Sequence, residues 1–259
     1  MKLYFKYFGI HLKSQMQYKV SFFLLTLGNF CMQFSTFLSV YFMFHIFSDI
    51  DGFTYSQVLL CFAVVIMAFS FAEMLGRGFD QLPRTMLANG EFDRALVRPR
   101  GALFQIIASR IHFVRLGATL QAAIVLFWAI PNSGVDWTWD KILTLCLMIV
   151  CGSLIFYTLF CIRATFAFFA TEGLDFMNVL TYGGRDHGRY PFSIYGKEVL
   201  RFLTFVIPLA LFQYYPLLYL LDMEQNVFYM LTPLLGLLFI IPGYMFFRFG
   251  LRRYKSTGS

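Results

Sequence analysis

Residues 20–47 run for 28 positions without one Asp, Glu, Lys or Arg. As a helix rising 1.5 Å per residue, such a run reaches ~42 Å, more than the ~30 Å of hydrocarbon in a bilayer. It is too long for a secretory h-region of about 7–15 residues, and no small-x-small cleavage site closes it. A retained first membrane span fits instead. Five further apolar runs follow, at 55–75, 116–130, 142–162, 202–221 and 227–247. Six spans predict an all-α polytopic membrane protein, one domain over residues 1–259, with both termini on one side.

Charge is scarce and unevenly placed. Hydrophobic residues make up 59% of the chain and charged residues 14%, against about 25% charged in soluble domains. So few charges cannot solvate a globule of this length, which excludes a soluble enzyme, a nucleic-acid reader and a disordered chain. The net charge of +7 then reads as topology. Basic residues crowd the N-terminus, the loops after the second and fourth runs, and the C-terminus; of 21, only Lys141 falls opposite. The opposite loops carry Asp49, Asp51, Asp136, Asp140, Asp222 and Glu224. The positive-inside rule makes the Lys/Arg-rich side cytoplasmic.

Two stretches depart from simple spans. Residues 1–19 set Lys2, Lys6, Lys13 and Lys19 among Leu3, Tyr4, Phe5, Tyr7, Phe8 and Ile10, which predicts an amphipathic helix lying at the cytoplasmic interface on membrane lipids. The fifth run is interrupted by Pro208 and by Tyr215–Pro216. Residues 197–212 supply only ~24 Å of helix. Either residues 217–221 form a re-entrant outer piece before span six, or the run is one Pro-kinked span.

Polar residues inside the runs come next, because they are costly in lipid. Glu73 stands four residues before Arg77, the spacing of an ion pair at a helix mouth, with an ion-coupling site as the alternative. In the first run Thr26, Asn29, Gln33 and Thr36 fall within an arc of ~80° at 100° per residue. This stripe faces protein, either bonding to other helices or lining a solute pathway. There is no GxxxxGK[ST], HExxH or GxSxG, so neither a nucleotide-phosphate cradle nor a hydrolase motif is present. The cysteines, Cys31, Cys61, Cys146, Cys151 and Cys161, form no CxxC pair, which argues against a metal site or a disulfide framework. No catalytic residue, metal or cofactor is expected in this chain.

The loop over residues 76–102 is the most informative stretch. Gly90 ends one short helix and Pro99 the next; between them Glu91, Asp93, Arg94 and Arg98 interleave with Phe92, Leu96 and Val97. Such a loop suits a rigid elbow docking into a partner's groove. An interfacial segment on lipid is the alternative, opposed by Glu91 and Asp93, which anionic headgroups repel.

At this loop the chain resembles the ABC-2-type exporter permeases, in the branch described as ABC-2 family transporter proteins. Asn-Gly-Glu-Phe-Asp-Arg-Ala-Leu-Val-Arg-Pro-Arg (89–100) is similar to the branch pattern G-E-L-D-x-x-L-x-R-P. A second likeness is Arg-Tyr-Pro-Phe-Ser-Ile-Tyr-Gly (189–196), followed by Leu-Thr-Phe-Val-Ile-Pro-Leu-Ala (203–210) and Tyr214-Tyr215-Pro216. The resemblance implies a permease subunit in the plasma membrane, the inner membrane of a bacterium. It implies pairing with a second permease, identical or a sister chain, and with two ATPase subunits that bind ATP and Mg. It implies ATPase coupling through Leu82, Pro83, Leu87, Gly90, Glu91, Phe92, Asp93, Arg94, Leu96 and Arg98, and a secondary cytoplasmic contact through Arg189, Tyr190, Pro191 and Tyr195. It also favours a pathway that includes Thr26, Asn29, Gln33 and Thr36 with the Pro208 and Tyr215 region. The substrate stays open among lipid, hydrophobic drug and organic cation. Phe92 replaces the pattern's Leu, which bears on the choice of ATPase. A non-transporting membrane scaffold and an ion-coupled carrier are the alternative readings of the residues.

Overall fold

In the computed structural model, which describes residues 2–47, 49–169 and 175–255, helix α1 (Lys2–Gln15) passes through one 3-10 turn into α2 (Lys19–Ile46). A turn with positive φ at Asp51 and Gly52 reverses the chain. Thr54 then opens α3 (Tyr55–Gln81) with a capping box, its N–H donating to Gln57 Oε1 at 3.0 Å. α3 continues without a break into a wider π-helical turn, Leu82–Leu87. Gly90, at φ 65°, makes a left-handed turn open to a residue without Cβ. α4 (Glu91–Leu96) and α5 (Ala102–Ser109) follow, then α6 (Leu116–Asn132) and α7 (Trp139–Phe166). Two short helices come next, α8 (Phe176–Leu180) and α9 (Tyr182–His187). The chain ends with α10 (Lys197–Phe205), α11 (Leu209–Leu220), α12 (Phe228–Gly236) and α13 (Ile240–Arg253). Among the described residues there is no strand, only the isolated bridge of Ile50 with Phe53.

Five of these helical stretches are long and apolar enough to cross a membrane, and the bent pair α10–α11 brings the number to six if it is one span. This is a multi-pass membrane protein. Helix directions alternate as successive crossings require. Gly117 of α6 lies on Thr26 of α2, start against start. α3 and α7 also run in parallel, with Gly152 on Ala68 and Arg163 paired to Asp80. α13 follows the same sense, Gly243 and Gly250 meeting Thr158 and Thr165 of α7. α11 runs against α7, since Phe212 meets Gly152 while Tyr219 O–H donates to Asp140. The start of α2 and the end of α13 therefore lie at the same end of the bundle.

α3 forms the axis. Eighteen of its residues are buried, from Val58 to Phe79, between α6 on one side and α7 on the other. One core cluster joins its first half to Ala122, Val125, Leu145 and Leu217; a second joins its later half to Phe156, Phe160, Phe212 and Phe247.

The fifth run bends at Pro208, the first of the two prolines that interrupt it in sequence. α10 and α11 meet at 113°, well beyond a proline kink. The bend falls at Val206–Pro208, where Ile207 N–H donates to Phe202 O and Leu209 N–H to Ile207 O. Proline disfavours helix in the residue before it, so the turn sits there. Past it α11 stays helical through Pro216 to Leu220, so residues 217–220 continue α11, and the bent pair is a broken span or a re-entrant loop.

After α7, the segment through α8 and α9 climbs back along α3. Tyr182 reaches Phe69 and Glu73, Gly188 lies against Val65, and Gly188 O accepts from Cys61 Sγ. Arg185 and Arg189, placed with a cytoplasmic loop by sequence, stand on this segment. Arg185 lies 4.9 Å over the Phe69 ring and pairs with Asp186, as does Arg189. Apolar patterning could not reveal this segment, because its helices are 5 and 6 residues long.

Candidate functional site

The elbow at residues 82–98 is built from two kinds of residue. Leu82, Pro83, Leu87, Phe92 and Ala95 are buried. Phe92 is held edge-on to Tyr254 at 5.1 Å and against Phe168 at 5.3 Å. Gln105 Nε2 donates to Ala95 O at 2.6 Å and Arg100 O at 2.8 Å, fastening the end of α4 to α5. Glu91, Arg94, Leu96 and Arg98 are exposed, Val97 is 85% exposed, and Asp93 is half-buried. The expected coupling set thus divides: Leu82, Pro83, Leu87 and Phe92 hold the elbow from within, Gly90 turns it, and the others face outward or half outward. Phe92, which stands where the pattern has Leu, is buried against Phe168 and Tyr254. Beside the elbow a cleft of about 450 Å³ opens between α1, α4 and α5. Arg94, Arg98, Arg100 and Arg110 share it with Glu91.

Behind the elbow lies a buried ion-pair network. Glu73 is 1% exposed and accepts from Arg115 Nη2 at 2.5 Å. Arg77 donates to Asp80 at 2.7 Å and reaches Glu73 at 3.5 Å, while Arg163 pairs with Asp80 from α7. Tyr182 O–H adds a contact to Glu73 at 3.4 Å. The other arm of Arg115, Nη1, donates to Asn29 Oδ1 of α2 at 2.8 Å. Arg115 and Arg163 therefore join two carboxylates of α3 to its neighbours, while Arg77 bridges the two within α3, compensating carboxylates that would be prohibitive there alone. The sequence pair Glu73–Arg77 was legible from its spacing; Arg115, Tyr182, Asp80 and Arg163 come from distant positions that spacing cannot link. His112, just before α6, is pushed down to about 4, by burial first and then by Arg77, Arg115 and Arg110, which outweigh Asp80.

The stripe on α2 faces inward. Gln33 is buried and Thr26, Asn29 and Thr36 are half-buried, while Phe23, Leu24, Leu25 and Met32 around them are exposed. Thr26 and Thr36 donate to carbonyls of their own helix, Phe22 O and Met32 O. Among the described residues, Asn29 is the member of the stripe whose side chain is hydrogen-bonded to another helix, through Arg115.

A model of the family described as ABC-2 family transporter protein matches residues 30–258, a stretch that holds the elbow and five of the six apolar runs whole. The chain belongs to the ABC-2 family transporter proteins. No curated protein and no solved structure matches it.

For this ABC-2 family chain the remaining expected residues are scattered. Tyr190 packs against the core cluster around the first half of α3, and its carbonyl accepts from Gln213 Nε2 at 3.0 Å. Pro191 is buried, and Tyr195 O–H donates to His187 O at 3.0 Å. Arg189, Tyr190, Pro191 and Tyr195 thus belong to the segment that packs along α3. Pro208 sits in the α10–α11 bend, and Tyr215 shares a hydrogen bond with Thr204 across it at 3.1 Å. Neither is joined to the α2 stripe by any hydrogen bond among the described residues.

Proposed function

We propose that this ABC-2 family chain is the permease subunit of an ATP-driven exporter in the plasma membrane, with its elbow end cytoplasmic. A second permease, identical or a sister chain, and two ATPase subunits complete the assembly; ATP and Mg bind on the ATPases. The exposed edge of α4 carries this reading: Glu91, Arg94, Leu96, Val97 and Arg98 project as an amphipathic ridge whose own anchors, Phe92 and Ala95, are buried. A ridge fixed from behind transmits a push, whereas a loose loop absorbs one. The arginines of the neighbouring cleft extend the same surface. Asp80 and Arg77 lie at the end of α3 that runs into the elbow, so displacement there bears on the Glu73–Arg115–Asn29 chain and on α2. The cargo is an apolar or amphipathic molecule, a lipid, hydrophobic drug or organic cation, that enters between spans.

The test is Glu91→Lys combined with Arg98→Glu, both on exposed side chains. Co-purification with a co-expressed ATPase subunit should be lost, with the melting temperature of the permease unchanged. Undiminished co-purification and ATP-dependent transport would overturn the docking role.

A further inference from the structure

A second site lies toward the opposite end of the bundle. Between α2 and α6, a groove of about 470 Å³ is closed at the back by Tyr55 and opens sideways past the half-exposed Phe34, Tyr41 and Trp128. That volume is in the range of drug-sized ligand pockets. Its walls are almost wholly aromatic and aliphatic. Tyr55 stands edge-on to both Tyr41 and Trp128, and Phe34 stacks on Phe37, so flat faces and ring edges are both presented. One residue breaks the pattern. Gln121, in the groove wall, is 2% exposed, and neither its Nε2 nor its Oε1 has a hydrogen-bond partner. A buried carboxamide left with donor and acceptor both unmade is costly in a folded chain and marks a site awaiting an occupant.

We infer that this groove binds a ring-bearing apolar molecule, drawn from the bilayer, that carries one group able both to donate and to accept a hydrogen bond, such as a secondary amide. The rings select the flat apolar body. Gln121 selects the polar group and discriminates against plain hydrocarbon and acyl chains, which leave its amide unpaired. The amide is closed to water, beside the half-exposed Phe34 and Trp128 of the same groove. The site goes beyond the transport reading and does not depend on it, because binding is a property of this chain alone.

The experiment uses the full chain in nanodiscs without any ATPase. The probe is a diazirine-bearing N-benzyl hexanamide, compared with the same skeleton in which –CH2–CH2– replaces the amide. The expected result is saturable labelling of α2 and α6 at the groove, with the amide bound about tenfold more tightly than the hydrocarbon. Gln121→Leu should abolish that tenfold preference without lowering the melting temperature, since it removes an unsatisfied buried amide. Ile124→Trp, at the exposed rim, should block both probes. Equal binding of the two probes, or labelling elsewhere, would overturn the assignment, as would a preference that survives Gln121→Leu. If Ile124→Trp leaves labelling intact but separates a dimer in native mass spectrometry, the groove is a subunit contact and the ligand site falls.

Discussion

α2 and α3 are helices of nearly equal length, 28 and 27 residues, and sequence reads both as apolar spans. Their surroundings are opposite. α3 is encased along its whole length, and α2 buries only Gln33 and Val40. α3 carries the carboxylates Glu73 and Asp80, whereas α2 beyond Lys19 has no Asp, Glu, Lys or Arg. A helix surrounded by protein can hold charge, because neighbours supply the compensating guanidinium groups. On α2 the buried and half-buried polar groups Thr26, Asn29, Gln33 and Thr36 share the strip that touches the bundle, while the exposed Ser35 and Ser39 bond carbonyls of their own helix. α3 is thus the fixed axis, and α2 is the element held on by few ties.

That contrast can be broken. Glu73→Ala should have the largest effect: it leaves Arg115 and Arg77 facing no carboxylate at that point, and losing one partner of a buried ion pair costs about 3–5 kcal/mol. The whole bundle should unfold at lower denaturant, as followed by circular dichroism in detergent. Gly117→Ala acts on the other helix. A Cβ there would stand 2.0 Å from Thr26 O, so α2 must move off α6 at a cost of about 1–3 kcal/mol. Because α2 has few other contacts, local release is expected: protease cleavage near residues 15–20 should rise while the α3 core keeps its melting temperature. A loss of global stability equal to that of Glu73→Ala would erase the distinction.

Smaller effects sharpen it. Asn29→Leu removes the hydrogen bond that joins α2 to Arg115, and a bond to a charged group is worth about 1.5–3 kcal/mol at most, less with Arg115 still held by Glu73. The protease sensitivity of α2 should rise in the same direction as for Gly117→Ala, but by less. His112 adds a pH test. It is neutral in the folded protein down to about 4, while an unfolded histidine takes a proton near 6.5. Stability should therefore fall as pH drops from about 6.5 toward 4, then level off, and be flat above 6.5. His112 is partly exposed, so the loss is on the order of 1 kcal/mol; His112→Gln should abolish it. Thr36→Val should be smallest, within about 0.5 kcal/mol, because the hydroxyl bonds only its own helix.

Most of the crossings were legible from hydropathy, since water and lipid act on each segment locally. The run from residue 20 became α2 within a residue at either end, and Tyr55 began α3 as read. The inward stripe also followed from a fixed 100° step. Less of the site could be read. The elbow was visible as an amphipathic motif, but which half of it anchors and which half is offered depended on Phe168 and Tyr254, residues 76 and 162 positions away from Phe92. That residues 176–195 pack along α3 was not legible, because short helices covered by protein need no hydropathy signature.

By itself the sequence determined that this protein lives in a membrane, how many apolar runs it has, and that it lacks a nucleotide-binding motif of its own. Those follow from composition and short spacings, which tie each residue to its solvent. Only the tertiary structure decided that Glu73 is shared by Arg77 and Arg115, that Arg185 and Arg189 lie alongside α3, and that the fifth run bends at Pro208 and not at Pro216. These depend on contacts between residues remote in the chain, whose energies arise only after the helices have met.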